Sequence, residues 1–333
     1  MRIFANVFTS AKLQKLLHCD INTLQKDKKL PNMSLRKLKF AIFGNIYQVK
    51  KSAGIQTILS SLRARMAEVT IEKSYYDFLA DGHGIDLAGV VPFEEGKIDA
   101  DFVISMGGDG TLLRSAHCVG AQAIPVIGVN MGRLGFLATV GVEKFESVMD
   151  SIYNENYTID SLAMVMAETQ RPDGTKATEY ALNEIAILKR DNASMISIRA
   201  SINGEYVVTY HADGLIVSTP AGSTAYSLSN GGPIIVPHTG TMCITPVAPH
   251  SLNVRPIVMA DNSVITLEVE SRSHNFLVAA DGRSAKFDEG QTLSIRRAPY
   301  DAHIVKPTGM TYFSTLRQKM MWGADTRSLG KQE

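Results

Sequence analysis

The sequence predicts an α/β N-terminal domain with a parallel, Rossmann-like sheet, followed by an all-β sandwich and a C-terminal tail that packs back on the first domain. Three observations carry this. Short apolar runs alternate with stretches of helical spacing up to about residue 150, the pattern of a parallel sheet with helices on both faces. Beyond residue 157 the period changes to two, as in half-buried antiparallel strands. Helical spacing returns at Phe313, Leu316 and Met320. The expected boundaries are an extension over 1–35, the α/β domain over 36–150, the sandwich over 151–297 and the returning tail over 298–325.

Leu38 to Phe43 reads as the first strand, closed by the turn Gly44-Asn45. Ile55, Ile58, Leu59, Leu62 and Met66 then recur at helical spacing between Lys51 and Ala67. Val69 to Ile71 reads as a short strand, and a helix starts at Tyr75. Phe102 to Met106 is apolar, partly β-branched and bounded by glycines, which marks a buried strand. Leu112, Leu113, Ala116 and Val119 place a helix after it, starting near Thr111, and Ile124 to Val129 adds a further strand. In the second half Ile196, Ile198, Ala200 and Ile202 alternate with polar residues, and Asn203-Gly204 supplies a type I′ hairpin turn before Tyr206 to Tyr210. A similar unit runs through Val264 to Glu270, Phe276 to Ala280, the Asp281-Gly282 turn and Thr292 to Arg296. Residues 1 to 32 carry only interrupted hydrophobicity, unlike a secretory signal, and read as a poorly ordered extension.

Composition bounds the function. With 45% hydrophobic residues the chain can build real cores, and a formal net charge of +1 gives no electrostatic case for nucleic acid or an anionic membrane. Cys19, Cys118 and Cys243 lie too far apart for a disulfide framework or a zinc cluster, which points to a reducing, cytoplasmic setting. No apolar run approaches the roughly 18 residues that a membrane helix needs.

Three stretches carry chemistry. In the first, G-G-D-G-T at 107–111, strand, glycine turn and helix start form an anion site, so Gly107, Gly108, Gly110 and Thr111 are expected at a phosphate. Asp109 in that turn repels an anion unless it has work to do: binding a metal, accepting a ribose hydroxyl, or taking a proton. The other use of such an Asp is to cap the helix, and the residues alone leave both open. No Gly-Lys-Ser/Thr follows, so this is no Walker A loop. A second glycine-rich turn, N-M-G-R-L-G-F-L from Asn130, should line the same crevice.

In the second stretch, Asn183-Glu184 interrupts the apolar run A-L-N-E-I-A-I-L. Buried and unpaired, either side chain costs roughly 1–3 kcal/mol, so a strand end reaching water is the structural alternative to a binding role. The third is H-A-D-G-L-I-V-S-T-P-A-G-S-T-A-Y-S-L-S from His211, with hydroxyls and glycines suited to ribose and phosphate oxygens, and with apolar flanks that argue against a flexible linker.

Together these segments resemble the NAD kinases: G-G-D-G-T, the N-E pair and D-G-L-I-V-S-T-P-x-G-S-T-A-Y-S-L-S match that family's signatures in order, and V-A-P-H-S-L-N-V-R-P at 247–256 and A-D-G-R at 280–283 are similar to further segments. The resemblance covers roughly 38 to 323. It implies transfer of the ATP γ-phosphoryl group to the 2′-hydroxyl of the adenosine ribose of NAD, giving NADP, with Asp109 as general base. By the same resemblance NAD contacts Asp109, Gly110, Asn183, Glu184, Ser194, Asp213, Thr224, Ala225, Tyr226, Ser227, Leu228 and Ser229, with Ala225 and Tyr226 near the adenine. His211 is placed either at the nicotinamide end or as a satisfied loop histidine. A divalent cation, Mg²⁺ by preference, is expected on the triphosphate, with metal ligands from the chain unknown. Arg133, Arg255 and Arg283 are candidate cations without an assigned role. A homo-oligomer, dimer or tetramer, is implied. The chain departs from the family at Ala221, where Thr is usual; the lost hydroxyl is expected to lower NAD affinity.

Two other function classes compete. A diacylglycerol- or sphingosine-type lipid kinase shares G-G-D-G-T but lacks the other two signatures. A non-catalytic NAD-binding sensor would bind NAD and form no NADP, against which the intact Asp109 argues.

Overall fold

The structure, a computed structural model, describes residues 37–46, 52–81, 84–94, 96–132, 135–170, 174–190, 194–307 and 309–323. The expectation for the 1–35 extension lies outside the described residues.

In the first half, β1 (Lys39–Gly44), β2 (Glu68–Glu72), β3 (Val90–Phe93), β4 (Phe102–Gly107), β5 (Val126–Asn130) and the short β6 (Val140–Gly141) pair in parallel. Helices at Ser52–Ala64, Lys73–Ala80, Asp109–Val119 and Phe145–Tyr153 cover them. Successive side chains of a strand face opposite sides, and β1 shows the result. Phe40 and Ile42 join a core with Ile58, Leu62 and Met149, whereas Ala41 and Phe43 join another with Leu112 and Ala116 of the 109–119 helix. Each such side chain taken out of water contributes about 1.5–3 kcal/mol. That two-faced burial is why these strands read as continuous apolar runs.

The second half holds β7 (Thr158–Gln170), β8 (Lys176–Ala181), β9 (Glu184–Lys189), β10 (Ile196–Ile202), β11 (Glu205–Ala212), β12 (Gly214–Ser218), β13 (Thr241–Val247), β14 (Ile257–Ala260), β15 (Ile265–Glu270), β16 (Asn275–Ala280), β17 (Arg283–Asp288) and β18 (Thr292–Lys306). One antiparallel sheet runs β14-β13-β12-β9-β16-β17. It packs Ile185, Ile187, Leu215 and Val217 against Ile196, Ile198, Leu267 and Ile295 of the facing strands. Asn203 and Gly204 take the left-handed φ values of 51° and 83° that a type I′ turn requires, and Asp281 and Gly282 take 47° and 81°.

The two halves share a sheet. The other sheet runs β11-β10-β15-β18-β5-β4-β1-β2-β3, and the junction is Ile304 of β18 beside Val126 of β5. The Thr292 to Arg296 strand read from sequence therefore continues to Lys306. Its register along β7 shifts between Arg297 and Asp301, around Pro299, which has no N–H to give the ladder. Beyond it the helix Tyr312–Met320, opened by a capping box between Thr311 and Ser314, buries Thr315 and Leu316.

Candidate active site

β4 ends at Gly107, and the following helix begins at Asp109, not near Thr111 as the apolar spacing suggests. Gly108 is the N-cap, with φ −109° and ψ −165°, and supplies no side-chain cap. The capping use of Asp109 is thereby corrected: Asp109 sits in the first helical turn, where its charge suits the helix dipole. Its carboxylate reaches across to the second glycine-rich turn. Oδ2 accepts the Phe136 N–H at 2.7 Å, and Oδ1 accepts those of Leu137 at 3.0 Å and Ala138 at 2.8 Å. Asp109, between Gly108 and Gly110, is thus a carboxylate clasped by three amides. Gly135 makes the clasp possible, because a Cβ there would stand 1.9 Å from Oδ1. A carboxylate offers about four lone-pair sites, so Oδ2, with one amide partner, keeps one for a substrate hydroxyl.

Around this acid, Gly107 is required by close approach, since a Cβ would lie 2.1 Å from Thr111 Oγ1. Gly110 is the reverse case: a Cβ there meets nothing within 4 Å. The N–H groups of Asp109 and Gly110, at the first two helical positions, have no acceptor within their helix and suit a phosphate oxygen.

Asn183 lies between β8 and β9 and Glu184 opens β9, a strand end as the structural alternative held, but one where Asn183 is buried and Glu184 half-buried. Asn183 is 8% exposed, and Asn183 Oδ1 and Glu184 Oε2 are enclosed with no hydrogen-bond partner among the described residues. The backbone is pinned from two sides. Asp281 accepts the N–H groups of Leu182, Asn183 and Glu184 at 2.7, 2.8 and 3.1 Å. Thr219 donates its hydroxyl to the Leu182 carbonyl at 2.6 Å and its N–H to that of Asn183 at 2.9 Å. Burial, helped by the charge of Asp281, pushes the Glu184 carboxyl up to about 7 against a hydrogen bond from the Tyr226 N–H. Two enclosed, unspent acceptors are what donors of a bound molecule would satisfy.

The hydroxyl-rich segment divides. β12 is wholly buried between β9 and β13. The Ser223 hydroxyl donates to the Ile235 carbonyl and accepts the Ile235 N–H, and Ser227 pairs with Thr245 at 2.8 Å, so the Ser227 hydroxyl is turned inward. Thr224, Ala225 and Leu228 are half-buried, and Tyr226 and Ser229 are exposed on the short helix Tyr226–Ser229. Asp213 forms an ion pair with Lys189 at 2.7 Å. His211 contacts Ser197 at 3.0 Å, the locally satisfied alternative, and Ser194 lies in the loop before β10. Arg255 bonds the carbonyls of Leu252 and Val254, Arg283 bonds that of Tyr180, and Arg133 lies outside the described residues.

A cavity of about 840 Å³, counted out to its open mouth, borders three of these parts. Phe136 and Leu137 from the Asp109 clasp, Thr224 from the hydroxyl segment, and Tyr312 from the tail helix all line it. Tyr312 Oη is enclosed without a hydrogen-bond partner among the described residues. Sequence reasoning gave Asp281 and Thr219 no role of their own, though both fall in segments that resemble the family, and missed Tyr312. Asp281 presented itself as a hairpin-turn residue, which it also is. The signal for a second role was the polar Asn-Glu break in an apolar run, which needs an acceptor for its stranded N–H groups.

Comparison with known proteins gives the family. Family models match over residues 25–157, as ATP-NAD kinase N-terminal domain, and over 182–307, as ATP-NAD kinase C-terminal domain. An NAD kinase of Bacteroides fragilis is 53% identical over 292 residues, covering 87% of this chain and 100% of the relative. One of Porphyromonas gingivalis is 42% identical, covering 87% and 99%. Among solved structures, yeast NADH kinase complexed with NADH shares the fold at a TM-score of 0.80 and 19% identity, covering 87% of this chain and 89% of that one. An Archaeoglobus fulgidus NAD kinase in complex with ATP matches at 0.65 and 26%, covering 85% and 98%.

Proposed function

The chain belongs to the ATP-NAD kinase family, and from that premise we propose how its residues phosphorylate NAD with ATP. The observation that carries the reading is the clasp of Phe136, Leu137 and Ala138 on Asp109, which fixes one carboxylate at the N-terminus of its own helix, on a turn whose Phe136 and Leu137 line the cavity. The 2′-hydroxyl of the adenosine ribose lies against Asp109 Oδ2. As its oxygen bonds to the γ-phosphorus, the bond from that phosphorus to the β–γ bridging oxygen breaks, ADP leaves and the hydroxyl proton passes to Oδ2. Phosphoryl transfer needs chiefly position and charge stabilisation, and the N–H groups of Asp109 and Gly110 supply donors for the moving oxygens.

Residues 36–150 contribute the acid, 151–297 hold NAD, and 298–325 close the cavity. Asn183 and Glu184 offer their enclosed oxygens to NAD; Asp213 and Thr224 to Ser229 border it, the inward Ser227 acting by shape alone. Ser194 and His211 would serve the far end of the dinucleotide. Among the described residues no three His, Cys, Asp or Glu side chains converge as metal ligands, so Mg²⁺ comes as part of the Mg–ATP substrate, on phosphate oxygens and water. We place the enzyme in the cytoplasm, with its substrates, as a homo-oligomer. Exposed Tyr206 and Val207 on edge strand β11, and Ile257 and Val258 on edge strand β14, support that association. No helix among the described residues is long and apolar enough to cross a membrane.

The test is Asp109→Asn, assayed with Mg–ATP and NAD. Removing a general base is expected to lower NADP formation by roughly 10²–10⁴-fold, while calorimetry still registers NAD binding. Near-normal turnover would remove Asp109 as the base. A wild-type protein that binds NAD and yields no NADP would favour the sensor.

A further inference from the structure

The cavity lined by Phe136 and Leu137, whose amides hold Asp109, does not end at Ala221. A second cavity, about 750 Å³ out to its mouth, adjoins it, and Leu162, Ala221, Pro237 and His238 line both. Phe136 and Leu137, at the acid, line only the first. Ala221 is the smallest member of this shared wall, carrying nothing beyond Cβ. Its backbone is fixed: the turn Ala221–Thr224 holds Gly222 pressed on Asn183, where a Cβ would stand 2.0 Å from the carbonyl oxygen. Side-chain volume at 221 therefore sets how wide the passage is.

We propose, resting on the reading that NAD is the acceptor, that this passage admits substituents on the adenine amino group of NAD, with Ala221 as the residue that determines the specificity. The purine's geometry gives the direction. The ribose joins at N9 and its 2′-hydroxyl must reach Asp109, so N9 faces the Phe136–Leu137 end. The amino group on C6 is at the opposite end of the bicyclic ring and faces the shared wall. An alkyl arm on that nitrogen keeps one N–H and passes Ala221 into the second cavity. There Arg297 is bracketed by Asp261 at 2.7 Å and Asp301 at 3.0 Å. Two carboxylates against one guanidinium leave a negative excess, so an arm ending in an ammonium is favoured over one ending in a carboxylate.

Initial rates with Mg–ATP and either NAD, N6-(6-aminohexyl)-NAD or N6-carboxymethyl-NAD test this, with the added phosphate read by mass. The wild type is expected to use the aminohexyl compound with kcat/KM within about tenfold of NAD, and better than the carboxymethyl compound. In an Ala221→Ser, Ala221→Thr, Ala221→Leu series the preference for NAD over the aminohexyl compound rises with side-chain size, by at least about tenfold at Leu, as expected when a side chain fills a passage. If Ala221→Leu does not fold, the Ser and Thr variants and the wild-type ratio still decide. NAD turned over while the aminohexyl compound is rejected by the wild type, or a preference that does not move along the series, overturns the inference alone. No turnover of NAD overturns the proposed function and the inference with it.

Discussion

The carboxylate of Asp281 accepts the amide N–H of Asn183 at 2.8 Å, from 98 positions further along the chain. It takes the N–H groups of Leu182 and Glu184 as well. The tip of the β16–β17 hairpin thus serves as the acceptor that the break between β8 and β9 lacks. Burial raises the Asp281 carboxyl while these three amides and Arg283 oppose the rise.

Asp281→Ala leaves three N–H groups without this acceptor. A buried unsatisfied donor costs about 1–3 kcal/mol, so a loss of roughly 3 kcal/mol in urea unfolding is expected. KM for NAD rises more than kcat falls, because the N-E pair is displaced and Asp109 is untouched. Asp281→Asn keeps one acceptor oxygen and recovers part of both. Equal loss in the two variants would make the negative charge, and not the hydrogen bonds, the important quantity.

Glu184 makes stability depend on pH in a stated direction. Its carboxyl lies near 4.5 in the unfolded chain and about 7 in the fold, with burial the main cause. The fold therefore favours the protonated form. Its contribution is fully present below about 4.5 and is lost as pH rises through about 7, on the order of 3 kcal/mol at most. Glu184→Gln has no such proton to lose. Relative to wild type, the variant gains stability between pH 5 and pH 8 in urea unfolding; parallel curves at the two pH values would count against a buried Glu184.

Two glycines beside the acid separate fold from function. A Cβ at Gly135 would collide with Asp109 Oδ1 at 1.9 Å, so Gly135→Ala must open the clasp. A fall in kcat of tenfold or more is expected, roughly the cost of misplacing a reacting group. At Gly110 the Cβ enters open space inside a helix, where Ala is better than Gly by about 1 kcal/mol. Gly110→Ala is expected to melt no lower than wild type and still lose turnover, because the space it fills is where substrate approaches. Full activity in Gly110→Ala would take the substrate away from this face of the helix.

What was legible in the sequence was whatever repeats along it. β4 and the 109–119 helix followed from burial on both faces, and β10, β11 and the Asn203-Gly204 turn followed from period two. The three signatures were visible because glycines, hydroxyls and an Asn-Glu pair sit where apolar residues otherwise continue. Relations between distant segments left no local mark. The amides of 136–138 on Asp109 are backbone groups, which have no sequence signature. Asp281 reads as an Asp-Gly turn whether or not its carboxylate has a second task. The far half of β18 was hidden by Pro299, which reads as a strand end and is here carried by a register shift.

Tyr312 offers the last discriminating test. It lines the cavity from the tail helix, and its Oη is buried with no partner among the described residues. Such a hydroxyl is a cost to the empty protein, roughly 1–3 kcal/mol when nothing satisfies it. Tyr312→Phe removes that cost with little change of shape, so the ligand-free variant is expected to melt at or above the wild-type temperature. If a bound nucleotide satisfies the hydroxyl, the same change weakens binding, and KM for NAD or for ATP rises while kcat holds. The substrate whose KM moves is the one that reaches the tail. A variant that is less stable when ligand-free and unchanged in both KM values would show instead that Oη is satisfied within the fold and that the tail helix only covers the cavity.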